Sequence, residues 1–161
     1  MKKYFRTIRL LAICLAGALC LVGWQASTSG TLDSSMLKKA LEDIGYEPKD
    51  LSKDPEKPLY EVTIVREGLN IPVSSEVTSS KSYLWLTVTM GSLKEDAADA
   101  AKLRKLLVAN GVIQPSHFFI TKGDRLKLAM PIDNRGVTNA ILRKAIDRIV
   151  NNVVETKAIW Q

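Results

Sequence analysis

The residues of this sequence that could do chemistry are few. It has a single histidine, His117, and two adjacent acidic pairs, Glu42–Asp43 and Glu95–Asp96. A zinc site at His117 would need three carboxylates around it, which the spacing of the acids does not provide. Ser116 and His117 are neighbours on a predicted strand, so their side chains point to opposite faces and cannot form a catalytic pair.

The two acidic pairs lie on predicted helices, where neighbouring side chains diverge by about 100°. They are therefore interpreted as solvated helix charges. The nine glycines form neither a G-x-G-x-x-G motif nor a phosphate-binding loop. We therefore predict a protein that is not an enzyme, with no cofactor and no metal site.

The N-terminal segment has the three parts of an export signal. Residues 1–9 contain four Lys or Arg, residues 10–24 are apolar or small without a charge, and residues 25–30 are small and polar. The uncharged run is shorter than the roughly 20 residues that a membrane-spanning helix needs. We expect a signal peptide over residues 1–26, with an uncleaved anchor as the alternative, and a linker over residues 27–32. The protein is thus predicted to be periplasmic, secreted or held at the membrane by this segment.

The leader also accounts for most of the net positive charge, four of the six units. The chain has a net charge of +6, and four of its 23 basic residues precede Asp33, the first acid. The other 19 basic residues are interspersed with 17 acids, which argues against nucleic-acid binding. Both cysteines, Cys14 and Cys20, belong to the leader, so the remaining region is expected to have no disulfide.

Hydrophobic periodicity and turn residues predict the order α-β-β-β-α-β-β-α. The first helix is expected to follow Ser34 or Ser35 as N-cap, the second to begin at a Ser92–Glu95 capping box, and the third to follow Thr138. Five strands are expected over residues 59–66, 69–77, 82–90, 116–121 and 125–130. Pro72 is expected to make the second strand an edge strand or a bulged one. The prediction is a single α+β domain over residues 33–161, with three helices and a five-stranded antiparallel sheet.

Strand alternation predicts two different sheet faces. The face toward the helices is expected to carry Leu84, Leu86, Val88, Leu126, Leu128 and Met130. The opposite face, here called the aromatic face, is expected to carry Tyr83, Trp85, Phe119, Arg125 and Lys127. His117, Thr87, Thr89 and Thr121 are expected to share it. Aromatic rings with nearby cations are typical of a protein interface, and the alternative is that the middle helix or a second subunit covers these rings.

The sequence resembles the type III secretion chaperone-like fold, and within it the YbjN-type family of sensory transduction regulators. The resemblance covers residues 36–156 and rests on the element order and three stretches. These are the aromatic strand at 83–86, the run 103–111 leading into 118–120, and the hairpin-to-helix passage at 126–149. It implies a small, homodimer-prone protein that binds other polypeptides and is not an enzyme. In the secretion chaperones, an extended partner segment wraps over apolar patches.

These observations favour an exported protein-binding module that forms a homodimer or binds a protein partner. A small-ligand sensor, with a cavity beside the sheet in which Trp85 stacks on a bound ring, is the alternative. An enzyme with a site around His117 is the third hypothesis.

Overall fold

The computed structural model describes residues 30–93 and 100–161. The expected leader and the Glu95 half of the expected capping box lie outside these ranges. Four helices are described: α1 (Ser34–Asp43), α2 (Ala100–Asn110), α3 (Asn139–Glu155) and α4 (Lys157–Trp160). The strands are β1 (Lys49–Asp50), β2 (Leu59–Arg66), β3 (Leu69–Val77), β4 (Tyr83–Ser92), β5 (His117–Ile120) and β6 (Arg125–Asp133). None of the described helices is both long and apolar enough to cross a membrane.

The strands form one antiparallel sheet in the order β1-β2-β3-β4-β6-β5. The α+β class is confirmed, but the sheet has six strands and not five. The additional strand, β1, lies between the first expected helix and the first expected strand, and its Lys49 pairs with Glu61 and its Asp50 with Tyr60. Two residues are too few to show alternation, so only pairing with β2 defines this strand. The number of helices is likewise four and not three, because the four-residue α4 follows α3.

The position of β3 corrects the expectation for Pro72. β3 lies between β2 and β4, so it is not an edge strand. Its pairing with β4 nevertheless extends only from Ser74 to Val77, whereas Pro72 pairs with Thr63 of β2. Proline lacks a backbone N–H, and it is tolerated here because this half of β3 is paired to β2 alone among the described residues.

The N-cap of α1 and the end of β4 differ from the expected ones, whereas the N-cap of α3 is the expected residue. Asp33, rather than Ser34 or Ser35, is the N-cap of α1, and its carboxylate accepts a hydrogen bond from the Met36 amide at 2.9 Å. Thr138 is the N-cap of α3, as expected. Ser92 ends β4, two residues beyond the expected strand end, and it pairs with Arg125. A register shift between Thr89 and Gly91 lets the strand continue through the glycine.

Helices α1 and α3 pack on one face of the sheet and enclose the hydrophobic core. Every second residue of the central strands points into this core, and most of these residues are apolar. The buried sheet residues include Tyr60, Val62, Ile71, Val73, Leu84, Leu86, Val88, Leu126, Leu128 and Met130. The helices contribute Leu37, Leu41, Leu142, Ile146, Ile149 and Val150. The opposite face of the central strands is therefore the one that could meet a partner.

A buried asparagine attaches the start of the described chain to the sheet. Asn134 is fully buried, and its Oδ1 accepts a hydrogen bond from the Leu32 amide at 3.2 Å. Its Nδ2 donates to the carbonyl oxygens of Leu32 at 2.8 Å and Lys81 at 2.9 Å. The chain therefore enters the fold beside the Tyr83 end of β4.

Candidate binding face of the sheet

The pairing of strands β3, β4, β6 and β5 places the predicted residues on one sheet face. Trp85 of β4 lies opposite Pro131, and Tyr83 lies opposite Asp133. Phe119 of β5 lies opposite Lys127. Arg125 is on the same face of β6 as Lys127, because the two are separated by one residue. The structure therefore brings the five residues of the aromatic face together across three neighbouring strands.

His117 connects two aromatic rings of this face, those of Trp85 and Phe119. The centroids of Trp85 and His117 are 5.8 Å apart, with an interplanar angle of 81°, an edge-to-face arrangement. The His117 and Phe119 centroids are 6.0 Å apart and tilted by 41°. These are the distances and orientations that aromatic pairs prefer, so the three rings form one continuous cluster.

Ala129 makes this ring contact possible, and the sequence provided no signal for its role. In the register it lies between Thr87 of β4 and His117 of β5, on the aromatic face, and it is only 2% exposed. Because alanine has no side chain beyond Cβ, Trp85 and His117 can approach each other across strand β6. A larger residue at this position would stand where the rings meet.

The rings of this face are only partly covered. Tyr83 and Phe119 are 49% and 38% exposed, and Trp85 and His117 are half-buried. Helix α2 packs along β5, where Leu106 and Phe118 line a shared cavity. The partial exposure shows that the described part of α2 does not bury the cluster.

The charges around the rings are unevenly distributed. Lys127 and Arg125 lie at the Phe119 end, while Glu76 lies opposite Trp85 on β3. Asp133, opposite Tyr83, is engaged by Arg135, whose Nε donates to both carboxylate oxygens at 3.0 and 3.2 Å. The Arg135 side chain, together with its backbone amide, lowers the pKa of Asp133 from 3.8 to about 2. Neither Arg125 nor Lys127 forms an ion pair with a residue of the described ranges, so the unpaired cations seen on this face lie beside Phe119.

Ser116 and His117 do not approach each other as a catalytic pair would. Ser116 is buried and accepts a hydrogen bond from Asn152 at 2.9 Å, whereas His117 contacts the rings on the other face. Among the side chains at 30–93 and 100–161, no group of three His, Cys, Asp or Glu is placed to hold a metal ion. What the face can do is bury aromatic and aliphatic groups next to two cations.

A cavity of about 460 Å³ lies elsewhere, between α2 and the corner joining α3 to α4. Val108, Val112 and Ile159 are among the residues lining it, and none of its lining residues belongs to the aromatic face. It is therefore not the cavity beside Trp85 that a ring-stacking sensor would need.

Comparison with solved structures identifies the fold. An uncharacterised protein from Methanothermobacter thermautotrophicus matches with a TM-score of 0.58 and 13% identity, covering 81% of this chain and 97% of that one. YbjN from E. coli matches with the same TM-score and identity, covering 81% of this chain and 96% of that one. The fold is that of YbjN. The resemblance found in the sequence is thus confirmed at the level of the fold, and at 13% identity the likeness to YbjN concerns the fold alone.

The type III secretion chaperone SycH from Yersinia pestis, crystallised with a fragment of YscM2, also matches this YbjN-like chain. Its TM-score is 0.46 and its identity 15%, covering 76% of this chain and 97% of that one. No protein-family model matches the chain, and no curated protein matches it in sequence.

Proposed function

We propose that this chain is a non-enzymatic, exported or membrane-held module that uses the aromatic face to bind polypeptide, either a protein partner or a second copy of itself. The observation that carries the proposal is the partly exposed Trp85–His117–Phe119 cluster with Lys127 beside it. Export rests on the leader expected over residues 1–26.

The chemistry of the face suits a polypeptide ligand. Aromatic rings provide a large apolar contact area at a small cost in side-chain entropy, and such residues dominate the binding energy of protein interfaces. Lys127 and Arg125, next to Phe119, provide a polar and positively charged rim. A bound segment would therefore place apolar side chains on the rings and a carboxylate near these cations.

The size and shape of the face favour a polypeptide over a small molecule. The cluster spans β4, β6 and β5 as an open surface, and ligands of drug size generally need a concave pocket that buries most of their area. The alternative function is a sensor that stacks a bound ring on Trp85. The tests below would detect it as a thermal shift on addition of small molecules.

The test is a comparison of two double variants in the full chain. W85A/F119A removes the two rings that contact His117, and M36A/I141A truncates exposed apolar residues on α1 and α3 as a matched control. Each chain is purified from the native envelope fraction, co-purifying proteins are identified, and the molecular mass is measured by sedimentation. We expect W85A/F119A alone to lose a co-purifying polypeptide or to shift from dimer to monomer, with affinity at least about tenfold weaker.

The contrary result is equally specific. If W85A/F119A keeps the same co-purifying proteins and the same mass as the control, the aromatic face does not bind polypeptide. If its mass and co-purifying proteins are unchanged but a small-molecule thermal shift is lost, the sensor function replaces this proposal.

A further inference from the structure

Helix α2 and its flanks carry a second surface that the aromatic face does not include. α2 exposes an apolar ridge, with Leu107, Val108 and Val112 exposed by 69%, 63% and 84%. Arg104 and Lys105 are exposed on either side of Val108. We refer to these five residues as the α2 ridge.

The stretch of sequence that contains the α2 ridge has an excess of positive charge, and one acid, Glu155, lines the cavity that Arg104 and Lys105 also line. Between residues 100 and 132 the chain has six Lys or Arg and a single acid, Asp124. Residues 94–99 lie outside the described ranges. When they are added, the stretch 94–132 has seven basic residues and four acids. The other described residues, 30–93 and 133–161, have twelve basic and thirteen acidic residues. This stretch is therefore net positive, whereas the rest of the described chain is close to neutral; two of its cations, Arg125 and Lys127, belong to the aromatic face.

The residue types of the α2 ridge distinguish among possible occupants. Protein interfaces concentrate aromatic residues at their centre and are poor in lysine, whereas this ridge is aliphatic and basic throughout. A second copy would bring two positively charged flanks together, which is electrostatically unfavourable. Protruding aliphatic side chains between long cationic ones are instead what an anionic bilayer surface accommodates, because the apolar tips enter the headgroup region while Lys and Arg meet the phosphates.

The ridge stands between apolar recesses that could admit lipid. On one side is the cavity of about 460 Å³ next to Ile159, and on the other a smaller one of about 190 Å³ that includes Leu107 and Ile120. Ile120 is itself 45% exposed, which extends the apolar surface onto the β5 edge. We infer that the α2 ridge docks on the surface of an anionic lipid bilayer, independently of the leader and of the aromatic face.

The test places an environment-sensitive dye on the ridge of the full chain. Cys14 and Cys20 are replaced by Ser, and a cysteine is introduced by V112C on the ridge or by M36C on α1, an exposed position outside the ridge. Emission is measured with vesicles of phosphatidylcholine alone and of an equimolar mixture with phosphatidylglycerol. Because the dye reports the surroundings of its own residue, tethering of the chain to either vesicle by the leader does not decide the result.

We expect a blue shift at residue 112 only on vesicles containing phosphatidylglycerol, weakened by added salt, and no shift at residue 36. R104E/K105E should raise the half-saturating concentration of anionic lipid at least about tenfold. K53E/K57E, which makes the same change of net charge on an exposed loop, should leave it unchanged. W85A should also leave the shift unchanged, because Trp85 lines neither recess, and this separates the inference from the proposed function.

Three results would overturn the inference. The dye at residue 112 could stay in water on anionic vesicles, or K53E/K57E could weaken the shift as strongly as R104E/K105E. A blue shift without vesicles that follows protein concentration would assign the ridge to a second copy of the chain.

Discussion

The side chain of Asn110 pairs with the backbone of Phe118 as a neighbouring strand would. Its Oδ1 accepts from the Phe118 amide at 2.6 Å, and its Nδ2 donates to the Phe118 carbonyl oxygen at 3.2 Å. Phe118 belongs to β5, the last strand of the described sheet on this side. An edge strand with free amide and carbonyl groups invites pairing with another chain, and Asn110 occupies one such pair.

Asn110→Ala should therefore expose the β5 edge. We expect the free energy of unfolding to fall by about 1–2 kcal/mol, since two partly buried backbone groups lose their partners. Self-association measured by light scattering should increase. Asn110→Asp is the matched variant, because its carboxylate can still accept from the Phe118 amide but cannot donate to the carbonyl. Equal stability and scattering of N110A and the unmodified chain would show that the pairing does not protect the edge.

Ala129→Leu should disturb the aromatic cluster without replacing any of its rings. The added side chain would stand between Trp85 and His117, and overpacking of this kind costs about 1–3 kcal/mol. We expect altered tryptophan fluorescence and a lower midpoint of chemical denaturation. Ala158→Leu, on the exposed side of α4, is the control and should change neither quantity. A normal fluorescence spectrum for A129L would mean that the rings do not depend on a small residue here.

Asn134→Ala should be among the most destabilising single substitutions in the chain. It leaves the Leu32 amide and the carbonyls of Leu32 and Lys81 without their present partner in a buried site. We expect a loss of at least about 2 kcal/mol in unfolding free energy. Faster proteolysis near residue 32 should accompany it, because this contact attaches the start of the fold. Asn139→Ala, at an exposed position of α3, should have nearly the same free energy of unfolding as the unmodified chain. A similar loss in this control would show that the effect is not specific to the Asn134 contacts.

The Asp133–Arg135 pair should have a measurable pH dependence. Because the pKa of Asp133 is lowered from 3.8 to about 2, the pair contributes to folding fully above about pH 4 and loses that contribution as the pH falls toward 2. In R135A the pKa of Asp133 should rise toward 3.8, as measured by NMR titration of the side-chain carboxyl. Asp50, whose pKa is lowered by Ser52, should titrate as before. An unchanged Asp133 titration in R135A would show that the guanidinium is not the cause.

Local patterns in the sequence were sufficient to predict most of the elements and their faces. Alternation over residues 82–90 correctly placed Leu84 toward the helices, because successive strand residues point to opposite faces whatever the neighbouring strand is. The cap at Thr138 was equally predictable, since an N-cap depends only on the residues that follow it.

The sequence by itself therefore determined the α+β class, the buried sheet face and the candidate residues opposite it. It could not define β1, whose two residues are a strand only because they pair with β2, nor the position of Pro72 in a half-paired interior strand. Only the tertiary structure decided that His117 joins Trp85 to Phe119 across Ala129, and that Asn110 closes the edge at Phe118. The physical reason is that each of these contacts depends on strand order and register, which bring together residues that no local pattern relates.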